Sequence, residues 1–154
     1  MSKPACSCSI KTAMWPLGLF VVALSAVMFL RAGPAPTPPV FEADLTLADA
    51  INESRESAKA VFVLATADWC PPCQALKRGA MTDERVVGVL RQRTLPVYLD
   101  ATESNSTGAL EAARLGVSSL PTMLIIRDGE VLSSVVGAQT PDATLAWLDQ
   151  ALGE

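Results

Sequence analysis

Two cysteines separated by two residues, Cys70 and Cys73, are the side chains in this sequence best suited to chemistry. Such a pair can close a disulfide and exchange it with another by thiolate attack, or it can supply half of a zinc site. The chain has no histidine, and its other cysteines, Cys6 and Cys8, lie near the N-terminus, so a full zinc ligand set is missing. A purely structural disulfide over so small a ring would constrain the unfolded chain little. The pair therefore predicts thiol–disulfide exchange.

The local sequence places this pair where a buried strand leads into a helix. Residues 61–65 form a short, continuous apolar run typical of a buried strand, and residues 70–78 are predicted to be helical. Pro71 and Pro72 fit the first turn, because amides there need no helical partner. The amides and dipole of a helix N-terminus stabilise a thiolate at Cys70. Two prolines remove two of those amides, so we expect weaker stabilisation than a Gly-Pro bridge would give.

Composition excludes several other classes of protein. The absence of histidine excludes Ser-His-Asp and Cys-His catalytic sites and histidine metal ligands. A formal charge of −4 and an aromatic content of 5% argue against nucleic-acid binding. The 154 residues, half of them apolar, suit one globular domain with a short appendage.

The N-terminal 40 residues differ from the rest of the chain. Residues 13–30 carry no charge, and as a helix they would span about 27 Å, close to the thickness of a bilayer's hydrocarbon core. The sequence predicts a tail, a transmembrane anchor or signal segment, a proline-rich linker and a globular domain, at residues 1–12, 13–30, 31–40 and 41–154. The linker is expected to be an extended spacer that holds the domain off the membrane.

The charges that flank the apolar run predict its orientation. Lys3 and Lys11 precede it and only Arg31 follows it closely, which places the N-terminus in the cytoplasm and the domain in the periplasm or outside the cell. No well-placed pair of small residues marks a cleavage site, and Pro36 would follow the best candidate, so we favour an uncleaved, single-pass anchor in the inner membrane over a cleaved signal. The pair Cys6 and Cys8 is interpreted as two unpaired thiols, with metal binding, acylation and a redox relay as alternatives.

The remaining pattern predicts an α/β domain with a central mixed sheet flanked by helices. Asp128-Gly129 marks a hairpin that is expected to add antiparallel edge strands to a parallel pair. The last helix is expected to be anchored to the core by Trp147, and Met81 and Met123 are expected in the core. The predicted helices are 45–59, 70–78, 83–93, 106–115 and 140–152, and the predicted strands are 61–65, 95–99, 122–127 and 130–136.

Two separate motifs resemble the thioredoxin family. Residues 67–73, Ala-Asp-Trp-Cys-Pro-Pro-Cys, are similar to its active site, and Leu120-Pro121-Thr122 follows at the right distance, just before the hairpin. The resemblance implies a thioredoxin-like fold in which Pro121 is cis and faces the dithiol. It implies catalytic roles for Cys70 and Cys73, and substrate binding by Trp69, Leu120 and Pro121. The backbone that flanks Pro121 is expected to pair with the substrate segment as an added strand. No cofactor and no metal are implied.

Within that family the chain most resembles the C-terminal periplasmic domain of the bacterial thiol–disulfide interchange transmembrane reductase. Residues 67–70, 81–86 and 100–102 carry this resemblance. Other membrane-tethered thioredoxin-like reductases share the layout of anchor and domain. The resemblance implies a monomer that reduces disulfides of extracytoplasmic proteins with electrons from a membrane donor.

Two positions depart from the family pattern. Leu64 stands where thioredoxins usually carry a buried aspartate, and Lys77 stands where the interchange domain has a glutamate. A lysine pointing inward would favour thiolates, but we expect Lys77 on an exposed, solvated helix face. These departures leave the direction of electron flow open, so an oxidase or isomerase is an alternative. A dithiol module that binds Cu(I) is another, although no cluster of methionine or histidine supports it.

Overall fold

The computed structural model describes residues 18–25 and 33–153. The chain divides into two units, residues 1–33 and 34–154. In the first unit, residues 18–25 are helical and exposed, while the predicted tail and the rest of the predicted anchor lie outside the described residues. Among the described residues, no helix is both long enough and apolar enough to cross a membrane.

The second unit is built on a four-stranded mixed sheet with the order β2-β1-β3-β4. β1 pairs in parallel with β2 and antiparallel with β3, and β3 pairs antiparallel with β4. The strands are β1 (Ala60–Thr66), β2 (Thr94–Asp100), β3 (Thr122–Arg127) and β4 (Glu130–Val136). The prediction that both hairpin strands are edge strands is wrong for β3, which lies between β1 and β4; β2 and β4 are the edge strands.

Five helices surround the sheet in this unit: α1 (Leu47–Glu56), α2 (Pro71–Arg78), α3 (Glu84–Arg93), α4 (Thr107–Arg114) and α5 (Pro141–Leu152). A 3-10 turn, Ala80–Thr82, joins α2 to α3. Most begin at a side chain that accepts a hydrogen bond from a first-turn amide, as at Thr46, Asp83, Ser106 and Thr140. Such caps satisfy amides that the helix itself cannot, and they explain why the helices start where they do.

The core lies on both faces of the sheet, because successive residues of buried β1 point to opposite sides. Phe62 and Leu64 pack on one face with Met81, Met123 and Leu148. On the other face lie Val61, Val63, Ala65, Val97, Leu124 and Ile126. Both methionines are fully buried, as expected, and the Trp147 ring meets the Phe62 ring edge to face at 6.4 Å.

The residues assigned to a linker belong in part to the folded domain. Ala35, Pro38 and Val40 are buried, and the Phe41 ring packs 6.1 Å from that of Phe62. The structure therefore begins the domain at Pro34 rather than Phe41, and residues 34–40 are not a free spacer. Pro38 is extended, but Pro39–Phe41 form a 3-10 turn, and residues 34–40 lie against the domain because they bury apolar side chains.

Candidate active site

The two central cysteines form a disulfide at the start of α2. Their Cα atoms are 5.2 Å apart. Cys70 is the N-cap of the helix, and its sulfur accepts a hydrogen bond from the Cys73 amide at 3.3 Å. Pro71 and Pro72 have no amide hydrogen, so within this turn the Cys73 amide is the one that reaches the sulfur. Cys73 is fully buried, whereas Cys70 keeps 4% of its surface exposed.

The loop before Cys70 is held by residues after β2. The Trp69 indole donates to the Thr102 carbonyl oxygen at 3.0 Å, and the Asp68 amide donates to the Thr102 hydroxyl at 3.0 Å. Thr102 is fixed in turn by Asp100, whose carboxylate accepts its amide at 2.8 Å and its hydroxyl as well. These bonds orient the loop while the Trp69 side chain stays largely exposed.

Gln74 ties the same loop to the N-terminal segment of the domain. Its side-chain amide donates to the carbonyl oxygens of Ala67 at 3.3 Å and Asp68 at 3.1 Å. Its carbonyl oxygen accepts the backbone amide of Ala35. One side chain, directly after Cys73, therefore connects the active-site loop, α2 and the docked residues 34–40.

Lys77 contradicts the prediction of a solvated side chain. The side chain is 1% exposed, and its ammonium donates to the Asp68 carboxylate at 3.0 Å and to the Tyr98 hydroxyl at 3.3 Å. Burial by itself lowers the pKa of Lys77, but the hydrogen bonds to Asp68 and Tyr98 outweigh it and hold the pKa above the ordinary value of 10.5. Lys77 is therefore charged at neutral pH. Burial raises the pKa of Tyr98 above its ordinary 10, so the phenol is neutral.

A groove of about 330 Å³ opens beside Cys70. Trp69 and Leu120 line it together with small and apolar residues of α4 and the loop that follows: Ala109, Ala112, Ala113 and Val117. Leu120 packs against the buried cluster of Ala67, Cys70 and Cys73, and the Leu120–Pro121 peptide bond is cis. Pro121 is buried, and its carbonyl oxygen accepts the Gly137 amide at 2.8 Å. The fold thus brings Trp69, Leu120 and the disulfide to one place.

Comparison with known proteins assigns this arrangement to a family. A family described as "Thioredoxin-like domain" matches residues 47–152, which is most of the chain. The chain belongs to the thioredoxin-like family. Its Cys70–Cys73 pair is the active-site disulfide of a thioredoxin-like disulfide oxidoreductase.

Similar proteins include thioredoxins and thioredoxin-like oxidoreductases. Thioredoxin 2 of Chlorobaculum tepidum is 33% identical over 101 residues, which cover 66% of this chain and 86% of that protein. The solved structure of an oxidoreductase named DsbH is 20% identical with a TM-score of 0.60, over 76% of this chain and 90% of that one. The oxidised C-terminal domain of Neisseria meningitidis DsbD is 20% identical with a TM-score of 0.59, over 68% and 90%. At such identities the two structures show a shared fold.

The thioredoxin-like site also contains residues that the sequence alone did not single out. Thr102 lies in the segment 100–102, but its bonds to Asp68 and Trp69 depend on the parallel pairing of β1 with β2, which brings both strand ends together. Gln74 gave no signal, because a polar residue after a cysteine has no particular meaning. The burial of Lys77 could have been predicted from its spacing, because it shares a helical face with Cys73 and Leu76, the other buried residues of α2.

No metal-type cluster accompanies the dithiol in the thioredoxin-like domain. Within residues 18–25 and 33–153, no group of three or more cysteine, aspartate or glutamate side chains is arranged to hold a metal ion. At Leu64, where thioredoxins usually carry an aspartate, the side chain is fully buried in the apolar cluster that also contains Leu76. The charged group nearest in sequence to the buried Cys73 on the inner face of α2 is therefore the Lys77 ammonium.

Proposed function

We propose that this thioredoxin-like protein is a membrane-tethered reductase of protein disulfides outside the cytoplasm. The uncharged residues 13–30 and the lysines before them support an anchor with the N-terminus in the cytoplasm. The sequence resemblance to the periplasmic domain of the interchange reductase, and a fold shared with such a domain from Neisseria meningitidis, support a role in supplying electrons to extracytoplasmic proteins.

The observation that carries the proposed chemistry is the contrast between the two sulfurs. Cys70 lies at the helix N-terminus, accepts the Cys73 amide and borders the open groove, whereas Cys73 is fully buried. An amide donor favours a thiolate, and access to the groove allows that thiolate to meet a substrate disulfide. Cys70 is therefore the attacking residue and Cys73 the resolving residue.

The reaction proceeds by two exchanges. The Cys70 thiolate attacks one sulfur of the substrate disulfide, that disulfide breaks, and the other substrate sulfur leaves as a thiolate that takes up a proton. The Cys73 thiol then loses its proton and attacks the Cys70 sulfur, which closes Cys70–Cys73 and releases the second substrate thiol. Two electrons pass to the substrate, and a dithiol donor in the membrane, oxidised in exchange, restores the reduced pair.

The groove beside Cys70 is the proposed substrate site. Trp69 and Leu120 supply apolar walls, and we expect the substrate segment to lie extended along Leu120 and Pro121, in the manner of an added strand. The domain carries a net negative charge, so protein segments without a strong negative charge of their own are the expected partners.

Trapping of mixed disulfides tests the chemistry. Cys73→Ala removes the resolving thiol, so Cys70 should stay joined to substrate proteins as adducts that dithiothreitol releases on a gel. The matched control is the double variant Cys70→Ser, Cys73→Ala, which should give no adducts. An absence of adducts in the single variant, or equal adducts in both, would contradict the assigned roles.

The four cysteines of the chain also allow a test of topology. A membrane-impermeant maleimide is added to intact spheroplasts after mild reduction, and the labelled peptides are identified by mass spectrometry. The proposal predicts that Cys70, which borders the groove, is labelled before lysis, and that Cys6 and Cys8 are present but labelled only after it. Label on the N-terminal pair in intact cells would contradict the orientation, and loss of the N-terminal peptide would indicate a cleaved signal.

A second candidate function is an oxidase or isomerase that uses the same pair in the opposite direction. The buried Lys77 ammonium favours it, because stabilising the reduced form of a dithiol makes its disulfide a stronger oxidant. The reduction potential of the pair distinguishes the two functions.

A further inference from the structure

A buried positive charge lies on the same helical face as the resolving cysteine. Cys73 and Lys77 are four residues apart on α2, and both are buried. Residues at this spacing are neighbours on a helix surface, with Cβ atoms about 5–6 Å apart. A lysine is rarely buried so completely unless it is paired, and Asp68 and Tyr98 are its partners here.

The surroundings of this ammonium leave a net positive field toward the core. Its two described partners are the Asp68 carboxylate and the neutral Tyr98 hydroxyl. The Asp68 side chain is 44% exposed, so water screens its charge more than it screens the charge of Lys77, which is 1% exposed. The Asp100 carboxylate, at the end of β2, also helps to raise the pKa of Tyr98. No carboxylate balances Lys77 from β1, because that strand contains no acidic residue.

We infer that Lys77 is a positioning residue for the reaction, whose charge stabilises the thiolate form of the Cys70–Cys73 dithiol and thereby raises its reduction potential. Reduction adds two electrons and two protons to the disulfide, and one proton then leaves where the thiolate forms. A neighbouring cation favours that thiolate and has little effect on the neutral disulfide. The effect therefore holds whichever way electrons flow, and it rests only on dithiol exchange at this pair.

A merely structural role for Lys77 makes a different prediction. The Lys77–Asp68 bond also ties the loop before Cys70 to α2, and either Lys77→Met or Asp68→Asn removes that ion pair. If the bond acts only as a tie, the two variants should shift the potential in the same direction. If the charge acts, Lys77→Met should lower the potential, while Asp68→Asn, which leaves the ammonium without its counter-charge, should raise it.

The test measures the potential of the full chain and its variants in glutathione buffers. The fraction oxidised is read by mass spectrometry from the tryptic peptide of residues 60–77, which becomes 60–78 in Lys77→Met and 56–77 in Lys59→Met. Each of these peptides excludes Cys6 and Cys8. We expect Lys77→Met to shift the equilibrium with glutathione about tenfold toward the disulfide, equivalent to about 30 mV. Lys77→Arg should keep most of the potential of the unaltered chain, because it keeps the charge.

The pH dependence of the shift provides a second readout. At a pH below the pKa of the thiol the reduced form carries no thiolate, so the difference between Lys77→Met and the unaltered chain should shrink toward zero. The control is Lys59→Met, which makes the same change before β1, about 20 Å along the strand from its cysteine-bearing end. It should leave the potential unchanged.

The outcomes separate this inference from the proposed function. The absolute potential of the unaltered chain tests the direction of electron flow, while the differences among variants test Lys77. Opposite shifts in Lys77→Met and Asp68→Asn, with rescue by arginine, support the inference. Shifts in the same direction, or a potential that none of the three variants changes, overturn it. If Lys77→Met fails to fold, Lys77→Gln removes the charge while keeping a polar group for Asp68 and Tyr98, and it should lower the potential in the same way.

Discussion

Gly108, in the first turn of α4, is a position where a single methyl group should destabilise the domain. A Cβ built there would lie 2.5 Å from the Asp100 carbonyl oxygen, 2.6 Å from its amide nitrogen and 2.9 Å from its carbonyl carbon. All three are backbone atoms at the end of β2, so they cannot move aside as a flexible side chain would. The glycine is needed here for this close approach of helix and strand.

Two opposing effects set the size of the change. Alanine favours a helix over glycine by about 1 kcal/mol. Overpacking costs about 1–3 kcal/mol, and a clash with backbone on this scale belongs at the upper end. We therefore expect Gly108→Ala to lower the free energy of unfolding by about 1–2 kcal/mol. Because Asp100 fixes Thr102, the variant should also loosen the loop that carries Trp69.

Urea unfolding of the oxidised chain, followed by circular dichroism, measures this effect. The matched control is Gly88→Ala in the middle of α3, where nothing lies within 4 Å of the added Cβ. That variant should raise the free energy of unfolding by about 0.5–1 kcal/mol, since it gains helix propensity without a clash. If Gly108→Ala proved as stable as Gly88→Ala, the close packing of α4 on β2 would be refuted.

Three further perturbations test the contacts around the site. Thr102→Val removes the hydroxyl that accepts a hydrogen bond from the Asp68 amide. The variant should lower the free energy of unfolding by about 1 kcal/mol and speed hydrogen exchange at that amide. Unchanged exchange would contradict the contact. Gln74→Ala releases the Ala35 amide, so hydrogen exchange and proteolysis should increase within residues 34–40 but not in α5. Hydrogen bonding to the Arg85 guanidinium holds the pKa of Asp83 below its ordinary 3.8. The contribution of Asp83 to stability is therefore complete above pH 3.8 and is lost as the pH falls through the lower pKa of the folded state. Asp83→Asn should make the free energy of unfolding less dependent on pH in this acid range, and an unchanged dependence would contradict the contact.

The sequence predicted the elements because their local signals agree with the fold. The apolar run at β1 is buried along its whole length, and Asp128-Gly129 does form the turn between β3 and β4, with both residues at positive φ. The helix starts coincide with good caps. The Cys-Pro-Pro-Cys motif predicted thiol–disulfide exchange, because the strand before it and the helix after it are both visible in the local sequence.

What the sequence did not predict depends on contacts between distant segments. A hairpin signal pairs β3 with β4 but does not say which of them joins β1, so the interior position of β3 was missed. Lys77 was expected in water because lysine usually is, although its spacing from Cys73 put it on the buried face. The docking of residues 34–40 depends on burial of Val40 and on the Gln74 bond, and neither is visible in a proline-rich composition.

The reduction potential of the Cys70–Cys73 pair in the unaltered full chain tests the central claim most directly. Equilibration with glutathione and thioredoxin buffers of known potential, with the dithiol read from its own peptide, gives this value. A reductase of protein disulfides should have a potential near or below that of thioredoxin, about −270 mV. A value of about −120 to −180 mV would contradict the reductase and identify the pair as that of an oxidase or isomerase.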